Sequence, residues 1–137
     1  MLHKNAKLEL LKKVPLFQSC SRRELSEIAS VADEVAVADG TTLTKEGTSG
    51  REFIVIVDGA ADVFRGGRKI NSLSSGDFLG EIALVSRGPR TATVKTTAPT
   101  RALVITARDF RTLLRRTPSM QLKVLEALAE RIAPELS

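Results

Sequence analysis

The segment GDFLGEIAL at residues 76–84, followed by PRTATV at residues 89–94, carries more information about fold and chemistry than any other part of this chain. A helical turn that opens at Gly80 presents unpaired backbone N–H groups, which favour a bound anion. Arg90 adds a planar fork of donors that matches phosphate oxygens. An ionised Glu81 only accepts hydrogen bonds, so it suits a ribose hydroxyl and repels a second phosphate. Together these groups favour a ligand whose single phosphate is closed onto its own ribose.

The two segments resemble the phosphate-binding cassette of the cyclic nucleotide-binding domains of catabolite activator proteins, cyclic-nucleotide-dependent kinases and gated channels. That cassette reads approximately F-G-E-[LI]-A-L, a short loop, and P-R-[TAS]-A-T-V. Inside it, this chain departs only at Leu79, an apolar residue where the family usually has phenylalanine. Upstream, KEG at residues 45–47 and IVDGAADV at residues 56–63 resemble the family's E-G turn and its I-x-x-G-x-V-x-V hairpin. The resemblance extends over roughly residues 14–132.

The resemblance implies a role for each residue of the cassette. Glu81 would accept from the ribose and Arg90 would pair with the phosphate. Outside the motif they would be an ordinary helix N-terminal carboxylate and a surface arginine. Backbone amides near Ala83 and Thr91 would donate to the phosphate, and the small side chain of Ala83 would let the ligand approach closely. The resemblance therefore predicts a cyclic nucleotide site at Gly80, Glu81, Ile82, Ala83, Arg90, Thr91 and Ala92.

Thr91 is the cassette residue that bears on the choice of base. In the family, threonine after the cassette arginine is associated with cGMP, because its hydroxyl can bond the guanine amino group, whereas alanine there favours adenine. Threonine also occurs in cAMP binders of the family. One hydroxyl bond contributes about 0.5–1.5 kcal/mol net. We therefore expect cAMP as the main ligand, with appreciable cGMP binding.

The purine base needs an apolar wall, for which the predicted strands offer Val63, Ile70 and Leu73. Packing in the core is the commoner role of such residues, so the two interpretations stay open for each of them. A lid over the base would come from the last helix, at Leu125 or Ile132.

Length and composition bound the class of protein. A chain of 137 residues with 42% hydrophobic residues predicts a single domain over residues 1–137 with one core. No apolar run approaches the length of a membrane span, and the N-terminal residues lack the apolar segment of a secretory signal. Cys20 is the single cysteine, which fits a reducing cytoplasm.

The net charge of +5 suits an anionic ligand without requiring one. The densest basic group is formed by Arg108, Arg111, Arg115 and Arg116. Nucleic-acid contact is one interpretation, but a solvated helix face is favoured, because no helix-turn-helix pattern follows and no aromatic residues alternate with the arginines. We expect no DNA binding by this chain itself.

Hydrophobic periodicity predicts helices at both ends of the chain and strands between them. One helix covers residues 5–13, a capping box formed by Ser21 and Glu24 opens a second, and later helices begin after Thr106 and at Pro118. Many short strands separated by turn residues indicate an α+β fold, an antiparallel β-roll of jelly-roll type flanked by N-terminal and C-terminal helices. The predicted strands cover residues 34–38, 42–45, 52–57, 60–65, 68–73, 92–96 and 101–106.

These features predict a regulatory sensor that binds a cyclic nucleotide and needs no cofactor. Because His3 is the single histidine, a metal site of several histidines and His-based nucleophilic catalysis are excluded, and we expect no enzymatic activity. The output would come from an effector domain or a partner protein, with a dimer through the C-terminal helix as an option. Two alternatives stay open: a ligand-free interaction module of the same fold, and the sensor part of a DNA-binding regulator whose effector lies outside this chain.

Overall fold

The computed structural model of the chain describes residues 2–136, of which residues 82 and 131–136 are described by their backbone alone. These residues form two compact units. One unit covers Ala32–Ala107, and the other combines the residues up to Val31 with those from Arg108 onward. The single domain over residues 1–137 stays a prediction.

The unit of residues 32–107 is an antiparallel β-roll, which confirms the predicted fold class. Its strands form two four-stranded sheets, with the orders β1-β8-β3-β6 and β2-β7-β4-β5. All the pairings are antiparallel. The strands are β1 Asp33–Val37, β2 Thr42–Thr44, β3 Glu52–Asp58, β4 Ala60–Arg65, β5 Arg68–Ser74, β6 Phe78–Leu79, β7 Thr93–Thr96 and β8 Thr100–Thr106.

Strands β3 and β8 are the central pair of the first sheet. Phe53 lies opposite Ile105 and Val55 lies opposite Leu103, and all four side chains are fully buried. β-Branched and aromatic residues pack well in such cross-strand pairs. A second group of buried side chains, Ile56, Ala61 and Val94, joins residues of both sheets. Leu43, Val63, Leu73 and Leu79 pack against this group.

Strand β6 was missed by the sequence analysis, which predicted no strand between residues 73 and 92. In the structure, Leu79 pairs with Ile54 and Phe78 pairs with Val55 on the edge of β3. A strand of two residues is too short to show the alternation of apolar and polar side chains by which strands are recognised. The pairing matters because it fixes the start of the cassette to the central strand.

The other unit contains four α-helices and a 3-10 turn over Pro15–Phe17. The α-helices are α1 Lys4–Lys12, α2 Arg22–Ser30, α3 Ala107–Arg116 (whose first residue belongs to the β-roll unit) and α4 Pro118–Leu136. The predicted capping box is present at the start of α2. The Ser21 hydroxyl accepts from the Glu24 N–H (3.1 Å), and the Ser21 N–H donates to Glu24 Oε1 (2.7 Å). Phe17 packs on Phe110 with ring centroids 5.7 Å apart. No helix within residues 2–136 is long and apolar enough to cross a membrane.

Glu24 also links α2 to α4. Its carboxylate accepts from the Ser119 hydroxyl (2.7 Å) and from the Lys123 ammonium (2.5 Å), although the residue is only 5% exposed. Burial alone would raise the pKa of Glu24, but hydrogen bonds from Lys123, Ser21 and Ser119 outweigh it and lower the pKa from 4.5 to about 2. The ionised form of Glu24 therefore stabilises the native state.

The Glu24 carboxylate predicts a loss of stability in acid. Because its native pKa lies below the unfolded value, its contribution is fully present above about pH 4.5 and is lost as the pH falls towards 2. Glu24→Gln should lower the free energy of unfolding by about 1–2 kcal/mol at pH 7. Urea titrations at pH 7 and pH 3 measure this. A Glu24→Gln difference from wild type that is equally large at both pH values would contradict it.

Candidate functional site

The cassette forms a short turn between strands β6 and β7. Gly80 has a positive φ of +78°, and a 3-10 turn follows over Glu81–Leu84. The Ala83 N–H donates to the Gly80 carbonyl oxygen (2.9 Å), and the fully buried Leu84 anchors the end of the turn. A helical turn opened by Gly80 is what the sequence predicts. The Ala83 amide, expected to serve a phosphate, is used by the turn in this structure.

The Arg90 guanidinium lies between two glycines. A Cβ atom built on Gly50 would come within 2.5 Å of Arg90 Nε, and one built on Gly80 would collide with Arg90 Nη1. The Arg90 Nη2 group donates a hydrogen bond to the Glu52 carbonyl oxygen (2.7 Å). A Cβ atom at Gly80 would also lie too close to this oxygen, at 2.7 Å. Only glycine leaves room for the arginine at both positions.

The main chain of Arg90 is fixed as firmly as its side chain. Its N–H donates to the Thr48 carbonyl oxygen, and its own carbonyl accepts from the Gly47 N–H, both at 2.8 Å. Burial lowers the pKa of the half-buried Arg90 guanidinium, and the nearby Glu52 carboxylate opposes that shift. Since arginine titrates far above neutrality, the site holds a positioned and partly desolvated cation.

Arg90 faces two cavities of the β-roll. The first, which we call the loop cavity, has a volume of about 300 Å³. Its lining consists mostly of small residues, and the Arg90 guanidinium is the charged group that an oxyanion in this cavity would meet. The residues lining the loop cavity are Gly50, Gly80, Ala83, Ser86, Gly88, Pro89, Arg90 and Thr91.

The second cavity, which we call the strand cavity, has a volume of about 320 Å³ and a mixed lining of apolar and polar side chains. Gly80, Arg90 and Thr91 line both cavities, so the two adjoin at the guanidinium. The other residues lining the strand cavity are Thr44, Val63, Arg65, Ile70, Asn71, Leu73, Phe78, Leu79, Ala92 and Val94. Its ionisable lining consists of arginines, so the field there favours an anion.

Three of the predicted base contacts lie together in the strand cavity. Val63 and Leu73 also pack against the buried group of Ile56, Ala61 and Val94, so they combine the two roles that the sequence left open. Ile70 is different: it is 49% exposed, which makes the core interpretation wrong for this residue. A β-bulge between β4 and β5 at this point shifts the register and leaves Ile70 without a paired residue.

Glu81 is not brought to either cavity. Its side chain is 5% exposed and lines neither the loop cavity nor the strand cavity. The backbone of Ile82 lies in the 3-10 turn, and its side chain is outside the described residues. Two lid candidates lie on α4. Leu125 is 62% exposed, and the side chain of Ile132 is outside the described residues.

Several residues at the site were missed by the sequence analysis. Gly50 lies three residues after Gly47 of the E-G motif, in the irregular segment before β3, and nothing in the sequence connects it to Arg90. Arg65 and Asn71 read as ordinary polar residues of a hairpin, yet both line the strand cavity. No cluster of three or more metal-binding side chains occurs among the residues the structure describes.

Comparisons with known proteins identify the family of this chain. Residues 34–117 match the family model of the cyclic nucleotide-binding domain. A cAMP-dependent protein kinase regulatory subunit of Colletotrichum orbiculare is 33% identical over 108 residues, which is 77% of this chain and 28% of the relative. The chain spans about a third or less of the curated relatives that it matches.

Solved structures show the same fold. The N-terminal domain of a transcriptional regulator from Streptomyces coelicolor superposes with a TM-score of 0.84 at 27% identity, covering 92% of this chain and 94% of that one. The catabolite activator protein of Thermus thermophilus superposes with a TM-score of 0.72 at 25% identity, covering 89% of this chain and 60% of that one. With more than half of its residues matched by the family model, this chain belongs to the cyclic nucleotide-binding domain family.

Proposed function

We propose that this chain is a regulatory sensor domain that binds a cyclic mononucleotide, with cAMP as the main ligand and cGMP as a second one. The observation that carries the proposal is the position of Arg90. Its guanidinium lies where the loop cavity meets the strand cavity, so one cation faces both a space lined mostly by small residues and a space walled by strand side chains such as Val63 and Leu73. A phosphate fits the first space and a purine base fits the second.

The relatives support a regulatory role in which this domain catalyses no reaction. One is named as a regulatory subunit of a cAMP-dependent kinase and another as part of a transcriptional regulator. We propose that this domain likewise acts on an effector domain or a partner protein, and that a DNA-reading part, if there is one, lies outside this chain. A dimer through α4 stays a prediction. The free thiol of Cys20 suits the cytoplasm as the place of action.

The proposed mechanism is a population shift. A phosphate at Arg90 would compete with the Glu52 carbonyl for the guanidinium, and we expect the cassette turn to move about Gly80, where φ is positive. We expect two arrangements of the cassette: the one in this structure, with Glu81 buried, and one in which Arg90 and Glu81 both contact the ligand. The ligand binds the second more tightly, and this difference in affinity sets how far it shifts the population. Repositioned C-terminal helices would carry the signal to the effector.

A calorimetric titration of the whole chain with cAMP, cGMP and 5′-AMP tests this function. Both cyclic nucleotides should bind, with cAMP tighter. The linear 5′-AMP should bind more weakly, because its phosphate carries additional charge and is not held against the ribose. A folded protein that binds neither cyclic nucleotide would favour the ligand-free interaction module instead.

Thr91→Ala should lower the affinity for cGMP relative to cAMP. Thr91 is exposed and lines both cavities, so its hydroxyl is available to a base amino group. The loss should be about 0.5–1.5 kcal/mol, roughly two- to tenfold. Competition titrations on wild type and variant measure the ratio. Cyclic GMP winning by a hundredfold in the wild type, or an unchanged ratio in Thr91→Ala, would refute this assignment.

A further inference from the structure

The positive charge of this chain lies in its helical residues and not in the β-roll. The β-roll unit, residues 32–107, contains nine basic and nine acidic side chains, so its net charge is zero. The remaining residues, which we call the helical unit, contain twelve basic and seven acidic side chains and carry the whole net charge of +5. An anionic ligand at Arg90 therefore does not account for this excess. A unit with one sign of charge attracts partners of the opposite sign.

A polar cavity lies within the helical unit. It has a volume of about 400 Å³, and we call it the helix cavity. The start of α2 and the junction between α3 and α4 form its walls. The N-terminal ends of α2 and α4, which carry a partial positive charge, therefore both line it.

The two carboxylates that line the helix cavity already have partners. Glu24 accepts hydrogen bonds from the Ser119 hydroxyl and the Lys123 ammonium. Glu27 Oε2 accepts from the Thr117 hydroxyl at 3.0 Å. Since donors of the cavity itself hold both carboxylates, neither is left to bind a cation from outside.

The lining also contains two arginines whose guanidinium groups remain available. Arg23 lies in the first turn of α2, Arg116 is the last residue of α3, and both are exposed. Within the part of the chain that the structure describes, neither guanidinium makes a hydrogen bond or an ion pair. A guanidinium presents a planar pair of donors that matches the two oxygens of a carboxylate. The helix cavity thus offers two such groups to incoming acidic side chains.

The rest of the lining distinguishes among acidic partners. A nucleic acid presents a continuous row of phosphates, and the carboxylates of Glu24 and Glu27 would repel part of that row. A membrane surface requires apolar side chains that insert below the headgroups, but Pro118 is the single apolar residue among the described residues that line the cavity. A second copy of this chain would bring the same positive unit against itself. An acidic protein segment avoids these difficulties, because its separate carboxylates can lie at the arginines and away from the glutamates.

We propose that the helix cavity is the docking site for an acidic segment of the partner protein through which this sensor acts, and that Arg23 and Arg116 each pair with a carboxylate of that segment. The inference rests on the proposed function only in taking the domain to act through a partner. It does not depend on which nucleotide binds. Charge complementarity of this kind speeds association and selects the partner.

NMR titrations of the isotope-labelled chain locate the binding. The probe is a flexible peptide of alternating glutamate and glycine, and its control is the same peptide with glutamine at every glutamate position. Duplex DNA and vesicles that contain phosphatidylserine are titrated separately, as probes of the two other classes of acidic partner. The glutamate peptide should shift the backbone amides around Arg23 and Ser119 in a saturable way, and the glutamine peptide should not.

Paired variants separate the cavity from the overall charge. Arg23→Ala/Arg116→Ala should weaken binding of the glutamate peptide by about tenfold. The matched control is Arg22→Ala/Arg115→Ala, which removes the same charge from the neighbouring exposed arginines that do not line the helix cavity. The control should stay within about twofold of wild type, because exposed charges without a direct contact are screened by salt. Thermal transitions close to that of wild type check that both variants fold.

Three outcomes would overturn the docking site. The first is a glutamate peptide that shifts no amide of the helix cavity at millimolar concentration. The second is an equal loss of affinity in the two double variants, which would leave only an effect of overall charge. The third is DNA or vesicles that shift the same amides at lower concentration than the peptide, which would make the partner a nucleic acid or a lipid surface.

Calorimetry with cAMP distinguishes this inference from the proposed function. The Arg23→Ala/Arg116→Ala variant should bind cAMP as wild type does, because the helix cavity shares no residue with the loop cavity or the strand cavity. A wild-type protein that binds the glutamate peptide at the helix cavity but binds no cyclic nucleotide would support the docking site and refute the nucleotide sensor. A protein that binds cAMP but not the peptide would do the reverse.

Discussion

Arg90→Ala should weaken cAMP binding by about 2–5 kcal/mol, which is roughly thirtyfold to several thousandfold. The reason is the setting of the guanidinium. It is half-buried between Gly50 and Gly80 and faces both cavities, so a phosphate bound there is partly desolvated and depends on this cation. Calorimetry with cAMP on both proteins measures the loss.

The matched control for this change is Arg87→Ala. Arg87 lies three residues earlier in the same loop, is exposed, and lines neither the loop cavity nor the strand cavity. Arg87→Ala lowers the net charge by the same amount as Arg90→Ala. A purely long-range effect of charge would therefore weaken cAMP binding equally in the two variants. We expect Arg87→Ala to stay within a few-fold of wild type, because surface charges interact weakly through water.

The fold should survive the loss of the Arg90 side chain. The variant gives up one hydrogen bond to the Glu52 carbonyl, which contributes about 1 kcal/mol, while the backbone bonds of residue 90 to Gly47 and Thr48 remain. A cooperative thermal transition close to that of wild type checks this. Unchanged cAMP affinity in the folded Arg90→Ala protein would remove the basis for the phosphate site.

The sequence predicted those parts of the molecule that depend on local patterns. Alternation of apolar residues located seven of the eight strands, and the Ser21–Glu24 spacing predicted a capping box that the structure confirms. These features are set by neighbours within a few positions, where backbone geometry fixes which side chains meet. The order of residues around Gly80 likewise predicted the helical turn.

Contacts between distant segments could not be predicted in the same way. The Arg65 Nε bond to Thr91 spans 26 residues, and the Arg90 Nη2 bond to Glu52 spans 38. Both bonds depend on how strands far apart in the sequence are aligned, and a shift of one residue in that alignment would change which groups meet. The predicted roles of Glu81 and Arg90 came from the chemistry of their side chains and from a resemblance. The buried position of Glu81 shows that a local motif does not determine where its side chains lie.

Glu81 should distinguish a ribose from a 2′-deoxyribose. In the structure its carboxylate is buried and outside both cavities, so we expect the 3-10 turn to move about Gly80 when the ligand binds. A carboxylate brought to the 2′-hydroxyl would accept a charge-assisted hydrogen bond, which contributes about 1.5–3 kcal/mol. Wild type should therefore prefer cAMP over its 2′-deoxy analogue by roughly ten- to a hundredfold.

A double-mutant cycle isolates this contact from the other effects of the substitution. Glu81→Ala also removes a buried carboxylate, which changes the stability of the ligand-free turn, but that change is common to both ligands and cancels in the cycle. Affinities of wild type and Glu81→Ala for cAMP and the 2′-deoxy analogue give the coupling between the carboxylate and the hydroxyl. We expect Glu81→Ala to bind the two ligands equally, and weaker than wild type binds cAMP. If wild type already binds both ligands equally, Glu81 does not contact the ribose, and its burial in the turn is then its whole role.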